Sequence, residues 1–134
     1  MVPDAATTDG VIDLGVAVVQ AGCVNGSMAA LVAADAALHH GRLGHDDLQR
    51  ACDLLMGPRS AVIRALRRHA DGSAESPGET RLRHALQMMG FSVRPQVRIV
   101  DGSFVAVVDF LVEDCLAVEF DGFVKYGPTT GLCD

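Results

Sequence analysis

Residues 76–122 read SPGETRLRHALQMMGFSVRPQVRIVDGSFVAVVDFLVEDCLAVEFDG, and the hydrophobic period changes inside this stretch. Ser76 is placed to cap a helix, Pro77 suits its first turn, and Glu79 completes a capping box. Leu82, Leu86 and Met89 recur at helical spacing, which predicts a helix to Met89 with that stripe buried and Gly90 at its end. Beyond Gly90 the period is two. Residues 96–100 read as a short strand, Asp101-Gly102 as a hairpin turn, 104–112 as a long strand and 115–121 as another. A capped helix feeding a three-stranded β-meander, after a helical N-terminal region, predicts an α+β fold.

Upstream, the pattern is helical. Asp9 is placed to cap a helix over 11–21, with Val11, Leu14, Val18 and Val19 on one stripe. Residues 22–26 read as a break. Ser27 opens a helix over 28–39 with Leu31, Ala34 and Leu38 inward, and Gly41 stops it in a position suited to positive φ. A third helix is expected over 46–56, with Leu48, Cys52 and Leu55 inward. Gly57-Pro58 separates it from a fourth over 59–70, with Val62, Ile63, Leu66 and Ala70 inward and Arg64, Arg67 and Arg68 outward. The polar turn DGSAE (71–75) leads to the capped helix, so the expected division is a helical region, 1–72, and an α+β region, 73–134.

The chain has 134 residues, 49% of them hydrophobic and 21% charged, which excludes wholesale disorder and suits one domain or one domain with a helical appendage. No apolar run approaches the roughly 20 residues of a membrane span. The opening MVPDAATTDG lacks the basic and apolar regions of a secretory signal, so none is expected. Cys23, Cys52, Cys115 and Cys133 are scattered without a CxxC pair, which disfavours a disulfide scaffold or zinc knuckle and fits a reducing cytoplasm. With no Trp and one Tyr, an aromatic platform for single-stranded nucleic acid is disfavoured. His39, His40, His45, His69 and His84 show no metal-ligand spacing within a shared element, so surface or capping roles are expected.

The net charge of −6 conceals an asymmetry. Residues 1–57 hold two Arg against seven acids, 58–98 hold eight Arg against three, and 99–134 hold one Lys against seven. A basic middle beside an acidic end suits a phosphate-facing helix next to a carboxylate cluster that binds metal. Charge pairing on solvated faces explains it equally well.

The acids of the meander carry the chemical argument. Asp109 interrupts an otherwise apolar strand, as expected of a strand covered on both faces. An ionised carboxylate there is costly unless paired or metal-bound. In the following strand Leu116, Val118 and Phe120 share one face, so Glu119 and Asp121 share the other. Clustered carboxylates repel without a cation, and a hard ion such as Mg²⁺ with oxygen ligands resolves the repulsion. Blander roles exist for each: a backbone-bonded strand end for Asp109, a solvated edge for Glu119, a turn for Asp121, the capping box alone for Glu79, and a solvated surface for Lys125.

Register decides between these readings. A two-residue loop at Glu113-Asp114 pairs Val112 with Cys115 and points Asp109 away from Glu119. A three-residue loop over 113–115 pairs Val112 with Leu116 and sets Asp109 opposite Glu119, with Cβ atoms about 5 Å apart. We expect the second register, with Glu79 approaching from the capped helix.

The stretches SPGETRLRHAL (76–86), PQV (95–97), FVAVVDF (104–110) and LAVEFDGFVKY (116–126) resemble the nuclease-like domain related to very-short-patch-repair endonucleases, in the PD-(D/E)xK restriction-endonuclease-like superfamily. ALVAADAALHHGRL (30–43), the helix around 48–55 and the Arg-rich helix ending in HADG (69–72) resemble the preceding segment of actinobacterial proteins labelled AbiEi-type antitoxins. The resemblance implies that Glu79 is the helix acid and that Asp109 and Glu119 are metal ligands for Mg²⁺, with Asp121 beside them. Asp121 stands where the superfamily has its lysine, and Lys125 stands where relatives ending in DG-x-x-H have His, so Lys125 is the substitute base or phosphate contact that the resemblance implies. It also implies DNA as partner, with Arg64, Arg67, Arg68, Arg81 and Arg83 approaching phosphates. Relatives carry further strands after the third. The expectation here is a truncated version whose last strand is covered by a protein partner or a second copy. The competing functions are a metal-dependent endonuclease, a non-catalytic antitoxin-like regulator, and a truncated remnant.

Overall fold

The computed structural model describes residues 7, 8, 10–55 and 60–121, with only the backbone of Thr7 and Thr8. Asp9, Gly57-Pro58, Lys125, Cys133 and the tail from residue 122 lie outside the described residues. The chain runs through a short antiparallel hairpin, β1 (Thr7–Thr8) and β2 (Val11–Ile12), then α1 (Leu14–Asn25), α2 (Ser27–His39), α3 (His45–Leu55), α4 (Ala61–His69) and α5 (Pro77–Met88). It closes with β3 (Val93–Asp101), β4 (Phe104–Val112) and β5 (Leu116–Val118), paired antiparallel in that order. Helices first and a meander last make this an α+β fold.

The first helix differs from its expectation. The chain at Val11 is a strand, and α1 starts three residues later, where the Asp13 carboxylate accepts from the Val16 N–H at 3.1 Å. Residues 22–26 are not a break either. Gly22 is a buried residue of α1, and a Cβ there would stand 2.6 Å from the Val62 side chain and 2.7 Å from Ala30 Cβ. The glycine lets α1 approach its neighbours closely. The turn is confined to Gly26, whose φ of +89° favours glycine.

Around α1 and α2 the helical core assembles from Val16, Val19, Ala30, Ala34, Leu48, Cys52, Ile63 and Leu66. Cys23, Cys52 and Cys115 form no disulfide. None of the described helices is long and apolar enough to cross a membrane.

The capped helix forms as its sequence signals. Ser76 Oγ accepts from the Glu79 N–H at 3.2 Å and donates to Glu79 Oε1 at 2.8 Å, while Glu79 Oε2 accepts from the Glu75 N–H at 2.9 Å. Its buried side is another matter. Glu79, Thr80 and Arg83 are buried; Leu82 and Leu86 are only half-buried, and Met89 is exposed. The helix therefore docks by polar groups rather than by the expected apolar stripe.

In the sheet, β4 buries Val108, Phe110 and Val112 on one face, while Val105 and Val107 are exposed on the other. One covered face replaces the two expected. β3 is longer than predicted and tolerates Pro95 because, among the described residues, it pairs with β4 alone, as an edge strand. Its hairpin pairs Asp101 with Phe104 across Gly102, which takes φ +57°. The Phe120 ring lies against Gly78 of α5, where a Cβ would come within 2.0 Å of the ring.

Candidate functional site

The turn between β4 and β5 sets the geometry of the acids. Glu113 and Asp114 both take left-handed conformations, φ +51° and +56°, and the Cys115 N–H donates to the Val112 carbonyl at 3.1 Å. Glu113 is braced to the start of β3, because its Oε1 accepts from the Ser92 N–H at 2.6 Å. Asp114 pairs with Arg94 at 2.9 Å. The loop thus holds three residues, and Val112 pairs with Leu116, Leu111 with Ala117 and Phe110 with Val118. One step further, Asp109 stands opposite Glu119, in the expected register.

The β5 ladder stops at Val118, short of the expected strand end at 121, so Glu119 and Asp121 extend past it. Asp109 holds this extension, because its Oδ2 accepts from the Phe120 N–H at 2.7 Å. Two roles therefore coincide in Asp109: a backbone bond that fixes the chain after β5, and a carboxyl beside Glu119. Desolvation is the largest influence on the Glu119 carboxyl, followed by the Asp109 charge, a side-chain hydrogen bond with Asp109 and the Asp121 charge. Together they hold it above its ordinary range, against a backbone hydrogen bond with Asp109 that lowers it. The pair is mutually repulsive when both acids are ionised, and a shared proton or a cation relieves it.

On the other side of Asp109 lies Gln96. The flanking pairs Pro95 with Phe110 and Val97 with Val108 put Gln96 across from Asp109, yet Gln96 takes φ +49°. A left-handed non-glycine residue inside a strand costs roughly 1 to 2 kcal/mol. Strain of this kind gathers at functional positions. Sequence reasoning missed Gln96, since alternation alone carries no sign of backbone handedness.

Glu79 does not join the pair. Both its oxygens serve the helix cap. Among the described residues no group of three or more His, Cys, Asp or Glu side chains is close enough to hold a metal ion. The site as described is a two-carboxylate site.

The arginines expected to face phosphate divide. Arg64, Arg67 and Arg68 are exposed on α4 and Arg81 is exposed on α5. Arg67 also pairs with Asp53 of α3. Arg83 is a correction: it is 2% exposed, bonds Asp35 with Nη2, and donates from Nη1 to the His69 carbonyl at 2.8 Å. Asp35 completes a buried network, accepting from Thr80 Oγ1 and from the Asp71 N–H, each at 2.8 Å. Burial pushes the Asp35 carboxyl above its usual range, while the Asp71 N–H, the Arg83 charge and the Thr80 hydroxyl pull it down. The signal available in sequence was Asp35 itself, the one charged residue inside the Ala-rich stretch SMAALVAADAALH.

Sequence reasoning also left His69 and His84 as unrelated residues. They meet edge to face, with ring centroids 4.8 Å apart. Comparison with family models, with curated proteins and with solved structures returned no match for this chain.

Proposed function

We propose that the protein is endonuclease-like and acts on DNA phosphodiesters with a divalent metal, in the manner its resemblance to the very-short-patch-repair and PD-(D/E)xK proteins implies. The observation that carries this reading is the pairing of Asp109 with Glu119, two carboxyls held side by side at a cost that a cation would remove. Their hard oxygen donors fit Mg²⁺, with Asp121 close enough to influence Glu119. Bound there, the ion would supply an activated water and charge neutralisation at phosphate. The protein's own part is to hold Asp109 by the Phe120 N–H, to keep Glu119 facing it, and to present Arg64, Arg67, Arg68 and Arg81 to the phosphate backbone.

The test is nicking of supercoiled plasmid by purified protein with Mg²⁺ or Mn²⁺, with Asp109→Ala as control. Metal-dependent nicking lost in the variant supports the reading. Equal activity in both proteins, or none at millimolar metal, removes it.

A second reading is favoured by the Glu79 cap, which occupies the acid that the superfamily contributes from its helix. In that reading the protein is a non-catalytic, antitoxin-like regulator that retains a cation or DNA without cleavage. DNA retention in a mobility-shift assay that falls steeply with salt, without nicking, identifies it.

A further inference from the structure

The cleft between α4 and α5 is open, about 640 Å³ in volume, and lies apart from Asp109 and Glu119, neither of which lines it. That volume suits a small ligand rather than a duplex. Its walls combine two chemistries. Arg64, Arg67, Arg68, His69 and His84 supply cationic and hydrogen-bonding groups, while Ala65 and Met88 supply apolar surface over the buried Ile63. Among the described residues no acidic side chain lines it. Concentrating basic side chains around an open cleft in a chain of net charge −6 needs a reason, because self-repulsion opposes it.

Its cations are not all neutralised by protein. Arg67 has Asp53 as partner, but Arg68 has no carboxylate within ion-pair range among the described residues. His69 is oriented: its Nδ1 lies 2.9 Å from Gln87 Oε1, so with Nδ1–H donating, Nε2 is left for another partner. Ser27, at the first turn of α2, reaches the same cleft, where the positive end of that helix dipole adds to the field.

We propose that this cleft binds a phosphate monoester of nucleotide size, with Arg68 and the His69–His84 pair on the phosphate and Ala65 and Met88 against its apolar part. Guanidinium and imidazole donors recognise a phosphate dianion through charge-assisted hydrogen bonds. A flat ring with an apolar face fits beside the methionine and alanine side chains. The two sources of such a group are a free mononucleotide and the phosphorylated 5′ end of a strand. The inference does not rest on the nuclease reading, since it uses neither Asp109 nor a metal.

Groups facing His84 are His69 from α4 and Arg83 on its own helix, and the exposed arginines of α4 share the cleft. Burial, then His69, then Arg83 hold its imidazole below the ordinary range. A phosphate dianion reverses that balance and raises it.

The experiment titrates the full-length protein, in EDTA, with AMP, adenosine and inorganic phosphate, and reads calorimetry and the histidine ring signals. Expected is binding of AMP with the His84 titration moved upward, and no binding of adenosine. Arg68→Gln should weaken AMP by about tenfold, the size of one lost charge-assisted bond. Arg42→Gln, on the exposed turn after α2, should leave it unchanged. A 5′-phosphorylated tetranucleotide that binds tighter than AMP, and fails without its phosphate, names a strand end as the source. AMP binding tighter names a free nucleotide. The proposal is overturned if adenosine binds as well as AMP, if the His84 signal does not move at saturating AMP, or if both arginine variants lose equally.

Discussion

Two clusters built around acids sit in this molecule, and they are opposites. Asp35, buried at the junction of α2 and α5, has every partner it needs: Arg83, Thr80 and the Asp71 N–H. Asp109 and Glu119, on the open side of the sheet, have each other and one backbone donor apiece, the Phe120 N–H for Asp109 and the Asp109 N–H for Glu119, and among the described residues no side-chain cation. The first arrangement satisfies its carboxylate and is closed to solvent. The second is repulsive and accessible. A carboxylate that the fold satisfies is a structural part, and a carboxylate pair that the fold leaves in tension is where a ligand gains the most.

The contrast breaks first at Asp35. Asp35→Ala leaves the buried Arg83 guanidinium with only the more distant, part-exposed Asp71 carboxylate at 3.8 Å and should cost about 3 to 5 kcal/mol in urea denaturation. Arg83 Nε already lacks a hydrogen-bond partner among the described residues, so the guanidinium has little left to lose. If the double variant Asp35→Leu, Arg83→Met recovers much of the loss, the cost belongs to the unpaired charge. A stability equal to the native protein in Asp35→Ala would mean that the junction is not closed.

The joint between the two regions is the next place to press. Gly78→Ala drives a methyl into the Phe120 ring and should cost about 1 to 3 kcal/mol, by overpacking. Phe120→Ala in the same chain should remove that particular penalty, which a double-mutant cycle reads directly.

Removing the cap has a smaller effect. Ser76→Ala withdraws the acceptor of the Glu79 N–H and the donor to Glu79 Oε1, and should cost about 1 kcal/mol. Unchanged midpoints in a denaturant melt would show that Glu79 alone holds the helix start.

The smallest effect lies at the exposed pair, and it has a sign. The folded pKa of Glu119 is above its ordinary value of 4.5, so its protonated form favours the fold. That increment is fully present below pH 4.5 and is lost as pH rises through the raised value. Solvent screening keeps it small. Asp109→Asn should lower the Glu119 pKa and flatten this decline. Carboxyl carbon NMR of Glu119 across the titration checks it, and an unchanged Glu119 pKa in the variant would show that Asp109 is not its perturber.

The sequence disclosed local features well and distant ones poorly. Ser76-Pro77-Gly78-Glu79 contains its own cap, so α5 could be placed to within a residue. The register of β4 and β5 was one of two that the sequence allowed, because the apolar residues on both faces of these strands leave the loop length open, and the expected three-residue loop is the one that forms. The buried side of α5 did not follow, because the partner of Arg83 lies 48 residues away and nothing in the α5 sequence names it. Gly22 was misread because glycine signals both helix ends and close approach, and only the neighbouring Val62 and Ala30 decide which. The hairpin at Thr7–Thr8 and Val11–Ile12 is too short to show a period. His69 and His84 come together only through the packing of α4 near α5, which no spacing within one element predicts.

The three-residue turn at 113–115 has a consequence for how this chain can diverge. Strand side chains alternate, so changing the length of that turn by one residue, with the inner face kept in place, would transfer Glu119 to the far side from Asp109. Substitutions there are tolerable at a modest cost: glycine at 113 or 114 would relieve the left-handed backbone but give up the Glu113 bond to the Ser92 N–H or the Asp114 pair with Arg94. Insertions and deletions are not. Descendants of this sequence can change the turn's composition at the cost of those contacts while its length stays locked, and a one-residue indel would dissolve the carboxylate pair.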